Sequence, residues 1–187
     1  MNIVVIINGS GGSGKDTVVN NCANFLKEYN IVVHNYSTVT RIKKIMLKYL
    51  GWEATKTEKD RKCMSDLKKV CKQYNNMPFY DVTNRINETK YIHDKKVYFI
   101  HSREPEEIQE FIDYFNKDKS IGKVLTLVVT RPNYQILTNE SDRRIKEFHY
   151  DYVIDNDQTI MSLNYKSKLF SKKLVKEFLK MEMLYDG

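Results

Sequence analysis

The feature that most constrains this chain is a glycine-rich run, Gly9-Ser10-Gly11-Gly12-Ser13-Gly14-Lys15, one residue beyond the apolar, β-branched residues 3–7. An unbroken apolar run of that length reads as a strand buried on both faces, the habit of a central strand in a parallel sheet. Beyond the glycines, Val18, Val19, Cys22, Phe25 and Leu26 recur at helical spacing from Lys15 to about Tyr29, and Asn30 can end that helix. Strand, GxxxxGK turn and helix therefore fall in register, the context in which this pattern carries a mechanism. Glycines permit positive φ and close backbone approach, so successive N–H groups can point into one concavity while the following helix adds its positive end. A chain of phosphates is the ligand such a concavity takes, with Lys15 reaching its terminal groups as a point charge.

The rest of the chain repeats the alternation. Residues 31–36 read as a second strand, and Ser37 and Thr38 can cap a helix carrying Ile42, Ile45, Met46 and Leu50 that Gly51 ends. Residues 56–73 predict another helix with an apolar stripe at Met64, Leu67, Val70 and Cys71; Pro78 then interrupts before a short helix over 81–87. Strands follow over 96–101, 124–129 and 152–155. Glu104-Pro105-Glu106-Glu107 starts a helix with Pro in its first turn and acids complementing the dipole. A polar stretch runs from Arg131 to about Tyr150, and a last amphipathic helix reaches about Met183. Strands alternating with helices predict an α/β fold with a mostly parallel sheet between helical layers.

Composition narrows the function classes. With 187 residues, 41% hydrophobic and 12% aromatic, the chain has the size and apolar content of one globular domain rather than a disordered segment. Its net charge of +7 comes from 24 lysines and only seven arginines. Lysine spread over a surface is a weak signal for a nucleic-acid partner, and no basic run with interleaved aromatics is present. Cys22, Cys63 and Cys71 show no CxxC spacing, which points to a reducing compartment rather than a disulfide or zinc framework. No segment has the roughly 18 apolar residues of a spanning helix, and no basic segment precedes residues 3–7 as in a secretion signal, so a cytoplasmic protein without membrane or nucleic-acid partners is expected.

The turn departs from the standard form in one respect: Asp16 follows the lysine, where Ser or Thr usually stands, and Thr17 comes next. The segment GSGGSGKDT resembles the Walker A loop of the P-loop nucleoside monophosphate kinase lineage, and its GKDT ending looks most like bacteriophage-type deoxynucleoside monophosphate kinases. Tyr49-Leu50-Gly51-Trp52 is similar to that family's LGW segment. Ser102-Arg103-Glu104-Pro105-Glu106-Glu107 sits where the family has an Arg before an acid-bearing helix start, and residues 151–159, DYVIDNDQT, are similar to its closing strand-to-helix junction. The resemblance implies a single three-layer α/β/α domain over 1–187 with a five-stranded parallel sheet. It also implies a helical acceptor-binding insertion at about 37–90 and a lid at about 131–150. ATP and Mg²⁺ would be the cofactors and a nucleoside or deoxynucleoside monophosphate the acceptor, in a monomer or homodimer.

Phosphoryl transfer needs positioning and positive charge more than covalent help, which turns attention to the scarce arginines. Gly9, Ser10, Gly11, Gly12, Ser13, Gly14, Lys15, Asp16 and Thr17 would grip the donor. Arg103 and Arg131 each follow a buried strand, at the edge where α/β sheets bind ligands, and Arg143 and Arg144 lie in the expected lid. With Lys15 these four are the candidate catalytic cations, because guanidinium makes two parallel bonds to a phosphate. Tyr36, Ser37, Arg41 and Trp52 are candidates for the acceptor, Arg41 because its helix start resembles the acceptor-binding segment of adenylate kinases. For Mg²⁺, the third strand offers no carboxylate, leaving Asp16 with Thr17 as substitute ligands. The turn reads the donor and leaves the acceptor open. A kinase for another small molecule, or a nucleotide-binding protein of this fold without transfer, uses the same turn.

Overall fold

The computed structural model of the chain describes residues 1–55, 57–92, 95–132 and 144–185. By backbone contacts the chain divides into two units, Met1–Asn35 with Lys90–Gly187, and Tyr36–Thr89.

The first unit is built on a five-stranded sheet of order β2-β3-β1-β4-β5, with β1 Asn2–Asn8, β2 Ile31–Ser37, β3 Lys95–His101, β4 Ile121–Thr130 and β5 Tyr152–Asp155. β1 pairs in parallel with β3 on one side and β4 on the other, and β4 pairs in parallel with β5. The apolar run of β1 is explained by that central place: Ile3, Val4, Val5, Ile6 and Ile7 are all fully buried. On one face, Ile3, Val5 and Ile7 join Val97, Phe99, Leu125, Leu127 and Val129 in a core closed by α1 (Lys15–Lys27) and α6 (Ile160–Tyr185). α1 supplies Val18, Val19, Cys22 and Leu26, the stripe its sequence spacing predicts. On the alternate face, Val4, Ile6, Tyr98 and Ile100 are equally buried, and α5 (Pro105–Phe115) packs on β1 and β4 with Ile108, Phe111 and Phe115 inward. The expected three-layer α/β/α architecture with a central parallel sheet is thus the one observed. Each such buried side chain stabilises the fold by about 1.5–3 kcal/mol.

Helix ends follow local chemistry. Asn30, past the end of α1, takes the left-handed conformation at φ 55°. Pro105 opens α5 after Glu104 in an extended conformation, with Glu106 and Glu107 in the first turn. At the other end of the chain, Thr159 Oγ1 accepts from Ser162 N at 3.2 Å at the start of α6, as expected for a cap. On α6, Lys168, Lys172, Lys173, Lys176 and Lys180 are exposed, while Lys166 is half-buried and donates to Asp155 O at 2.6 Å and Asp157 Oδ1 at 2.9 Å.

The second unit carries α2 (Thr40–Tyr49), α3 (Glu58–Asn75) and α4 (Met77–Asn87). Here three local expectations are corrected. Ser37 and Thr38 do not cap α2: β2 runs on to Ser37, the N-cap is Val39, and no side chain caps it. Pro78 does not interrupt a helix but sits in the first turn of α4, which therefore begins at Met77 rather than at 81. The stripe read on α3 is only partly covered: Met64, Leu67 and Cys71 are half-buried, Val70 is 60% exposed, and no residue of the helix is fully buried. α3 packs on α4 and α2 and is closed at its start by a capping box, in which Thr57 Oγ1 accepts from Asp60 N at 3.2 Å and Asp60 Oδ2 accepts from Thr57 N at 3.0 Å. Among the described residues no helix is long and apolar enough to cross a membrane.

Candidate phosphate-binding site

β1 ends at Asn8 and the chain turns at Gly9, whose φ is 147°. A Cβ there would lie 2.4 Å from the Val129 carbonyl oxygen of β4, so the turn can approach its neighbour strand only as glycine. Ser13 N donates to Ser10 O at 3.2 Å, closing the loop on itself. Gly14, at φ 101°, is the N-cap of α1 and supplies no side-chain acceptor to the first helical N–H groups. Those donors, with the positive end of the helix, therefore face whatever the turn encloses. Lys15 Nζ folds back over the turn and donates to Gly9 O at 2.6 Å, Ser10 O at 2.7 Å and Ser13 Oγ at 3.5 Å. Ser10 and Ser13 are buried, and Thr17 is half-exposed in the first turn of α1.

Two asparagines outside the glycine-rich run hold the turn in shape. Asn8, fully buried, accepts from Gly9 N through Oδ1 at 2.6 Å and donates through Nδ2 to Arg103 O at 3.0 Å and Tyr150 Oη at 2.6 Å. Asn156 donates through Nδ2 to Ser13 O at 2.9 Å, and its backbone N donates to Thr130 O at 2.7 Å. The Gly14 Cβ position lies 2.7 Å from that same amide nitrogen, so a side chain there would displace it. Sequence reasoning assigned neither residue to the site. The signal for Asn156 lay inside the DYVIDNDQT segment, whereas nothing in the neighbours of Asn8 marks it. Tyr150, also unassigned, has its hydroxyl pushed up to about 12 by burial, against the opposing hydrogen bond from Asn8.

The cations divide into three groups. Arg103 lies two residues past the end of β3 and Arg131 directly after β4, both half-buried; the Arg103 carbonyl is bonded to Asn8, beside the turn. Arg144 lies in a 3₁₀ turn, Arg144–Glu147, with its guanidinium on Glu106, on Glu147 Oε2 at 2.9 Å and on Glu104 Oε2 at 3.5 Å. The bonds with Glu106 and then Glu147 hold that guanidinium above its ordinary pKa. Arg143 and most of the expected lid, residues 133–143, lie outside the described residues.

Asp16 projects from the first turn of α1 with its side chain 87% exposed and His101 Nε2 3.8 Å from its Oδ1. At the end of β3, where no carboxylate was expected, Glu107 is buried and accepts a hydrogen bond from Ser102 Oγ. Among the described residues no three His, Cys, Asp or Glu side chains cluster as a metal cage. A hard cation that keeps several waters and needs only one or two protein oxygens fits the exposed Asp16 carboxylate and the Thr17 hydroxyl.

Within the second unit a cavity of about 530 Å³ opens between α2 and α4, walled by Arg41, Lys44, Tyr80, Asp81, Asn84 and Arg85 among others. Arg41 approaches Asp81 at 3.9 Å, and the Arg85 guanidinium carbon lies 4.3 Å from the centre of the Tyr36 ring. Burial raises the Tyr36 hydroxyl pKa against the opposing charge of Arg85. Ser37 and Trp52 are not in the cavity wall: Ser37 Oγ accepts from Val39 N at 3.5 Å, and Trp52 Nε1 donates to Thr55 O at 3.0 Å. Arg85, missed in the sequence, reads there as one charge in a mid-helix position; only its spacing from Asp81 and Glu88 on α4 carries the signal.

The parallel sheet, with a GxxxxGK turn leading from its central strand into α1, defines a P-loop α/β domain. No protein-family model matches the chain, and no curated protein matches it. Among solved structures it is similar to APE1195, at 15% identity over 93% of this chain and 96% of that one, TM-score 0.50, a likeness of fold. It is also similar to the shikimate kinase from Bacteroides thetaiotaomicron, at 11% identity over 92% and 98% of the two chains, TM-score 0.48. A further match is the Mycobacterium tuberculosis APS kinase CysC in complex with AMPPNP and APS, at 12% identity over 95% and 97%, TM-score 0.44.

Proposed function

We propose that the chain is a P-loop phosphotransferase that moves the γ-phosphoryl group of ATP to a nucleoside or deoxynucleoside monophosphate. The observation that carries this is the turn itself: glycines at 9 and 14 whose positive φ strains any L side chain, an N-terminus of α1 without a side-chain cap, and a lysine ammonium gathered over the same loop. On binding the donor, Lys15 exchanges the Gly9 and Ser10 carbonyls for phosphate oxygens, and the uncapped amides of α1 receive the adjoining phosphate. Arg103 and Arg131, at the same edge of the sheet, neutralise charge on the transferring group, while Arg144 is engaged by Glu104, Glu106 and Glu147. Asp16 and Thr17 would hold Mg²⁺, which would supply positive charge to screen the donor's phosphates.

The acceptor rests on the second unit. Arg41, Lys44 and Arg85 in one cavity wall suit a phosphomonoester, while Tyr80 and Asn84 offer a ring and an amide to a base. Tyr36 supports Arg85 from beneath. The test is ADP release from ATP and Mg²⁺ across a panel of nucleoside monophosphates, with Lys15→Ala alongside. Turnover on at least one monophosphate is expected, falling by about 10³-fold in the variant. ATP binding without monophosphate-dependent ADP release would overturn the assignment.

A further inference from the structure

Resting on the donor-site proposal above, we infer that Asn8 and Tyr150 are positioning residues of the phosphate-binding turn, acting on Lys15 through the Gly9 peptide. The Asn8 side chain is fully buried, and every polar hydrogen it carries is engaged: its two N–H bonds go to the Arg103 carbonyl and the Tyr150 hydroxyl, and its carbonyl receives Gly9 N–H. The Arg103 carbonyl can only accept and the Gly9 N–H can only donate, so the amide has one orientation, the one that places Oδ1 on Gly9 N and leaves its second N–H for the Tyr150 hydroxyl. That bond is buried, and the other side of the same glycine offers the carbonyl on which Lys15 Nζ sits at 2.6 Å. Gly9 cannot drift outward to a better partner, because Val129 closes it in on the β4 side. The orientation of one asparagine amide thus sets the first peptide of the turn and, through it, the seat of the lysine.

Tyr150 gives this arrangement a second function. It stands two residues before β5, at the end of the connection that leaves β4 at Arg131, and its ring packs against Phe148 with centroids 5.0 Å apart. Among the described residues, its hydroxyl joins the end of the β4–β5 connection to Asn8 at the start of the turn. Asn8→Asp turns a donor into an acceptor facing the Arg103 carbonyl, which cannot donate in return, so the group is repelled there and rotates off Gly9 N even though the Tyr150 hydroxyl can turn to donate to it. Tyr150→Phe removes one of the bonds that hold the amide and leaves the ring packing in place.

The test uses tripolyphosphate, which carries no base or sugar, in calorimetric titrations of the full chain as wild type, Tyr150→Phe and Asn8→Asp, with the melting temperature of each. The Tyr150→Phe protein is expected to bind tripolyphosphate five- to tenfold more weakly. Its melting temperature stays close to that of wild type, and KM for ATP rises by a similar factor while KM for the acceptor is unchanged. Asn8→Asp is expected to lose about a hundredfold; should it fail to fold, Tyr150→Phe carries the test alone. Wild-type tripolyphosphate affinity in Tyr150→Phe would overturn the inference and leave the donor-site proposal standing. Absence of tripolyphosphate and ATP binding in the wild type would overturn both.

Discussion

Replacing Gly9 with alanine tests the turn at its tightest point. The residue sits at φ 147°, a region that L side chains rarely adopt, and holding alanine there costs about 1–3 kcal/mol. The added Cβ would also stand 2.4 Å from the Val129 carbonyl oxygen and 2.6 Å from Ser13 Oγ. The serine can rotate, but the carbonyl belongs to a strand buried beside β1, so relief requires backbone movement at about 1–3 kcal/mol more. The sum, about 2–6 kcal/mol, is a large part of the 5–15 kcal/mol typical of a folded domain. At about 2–4 °C per kcal/mol for a chain of this length, the melting temperature should fall by at least about 4 °C. Gly11→Ala is the matched control: its φ is unexceptional and its Cβ would meet nothing within 4 Å, so its stability should stay within about 0.5 kcal/mol of wild type. Urea unfolding of the two variants measures both. Equal midpoints for Gly9→Ala and Gly11→Ala would refute the close-approach argument.

Other consequences can be measured independently. Arg85→Met should raise KM for the acceptor by about 10–100-fold, the equivalent of one charge-assisted bond, and leave KM for ATP unchanged; steady-state kinetics with each substrate varied decides it. The ion pair between Lys90 and Asp118 should shape acid stability. Burial alone would raise the Asp118 carboxyl, but its bonds to Lys90 and Ser120 outweigh that and hold it below the usual carboxylate range. A lowered folded pKa means stability that is present above the unfolded value of about 3.9 and is lost as pH falls through the folded one. Asp118→Asn should therefore cost about 1–3 kcal/mol at pH 7, with the gap to wild type closing below about pH 4 in denaturant titrations.

What was legible in the sequence is what depends on near neighbours. The β-branched run of β1, the glycines before Lys15 and the proline opening α5 each determine their own conformation, and each stands where it was expected. Local residues failed where a distant one decides. Ser37 has the side chain of a cap, yet the strand carries on through it. Met64, Leu67, Val70 and Cys71 have helical spacing, but burial depends on what lies opposite, and periodicity says nothing of that. Asn8 takes partners 95 and 142 positions along the chain, and Asn156 reaches back 143 to Ser13, so their work on the turn exists only once the sheet order is formed. The arginines show both cases. Arg103 and Arg131 follow their strands as predicted, whereas Arg85 becomes visible only when α2 and α4 enclose a cavity.

The most direct measurement of phosphoryl transfer follows the fate of a labelled γ-phosphate. ATP labelled at that position is incubated with the full chain, Mg²⁺ and each nucleoside or deoxynucleoside monophosphate in turn, and the products are separated. Label in a nucleoside diphosphate, lost in Lys15→Ala, is the expected result. Label that stays in ATP, or appears only as inorganic phosphate with every monophosphate tried, would contradict it.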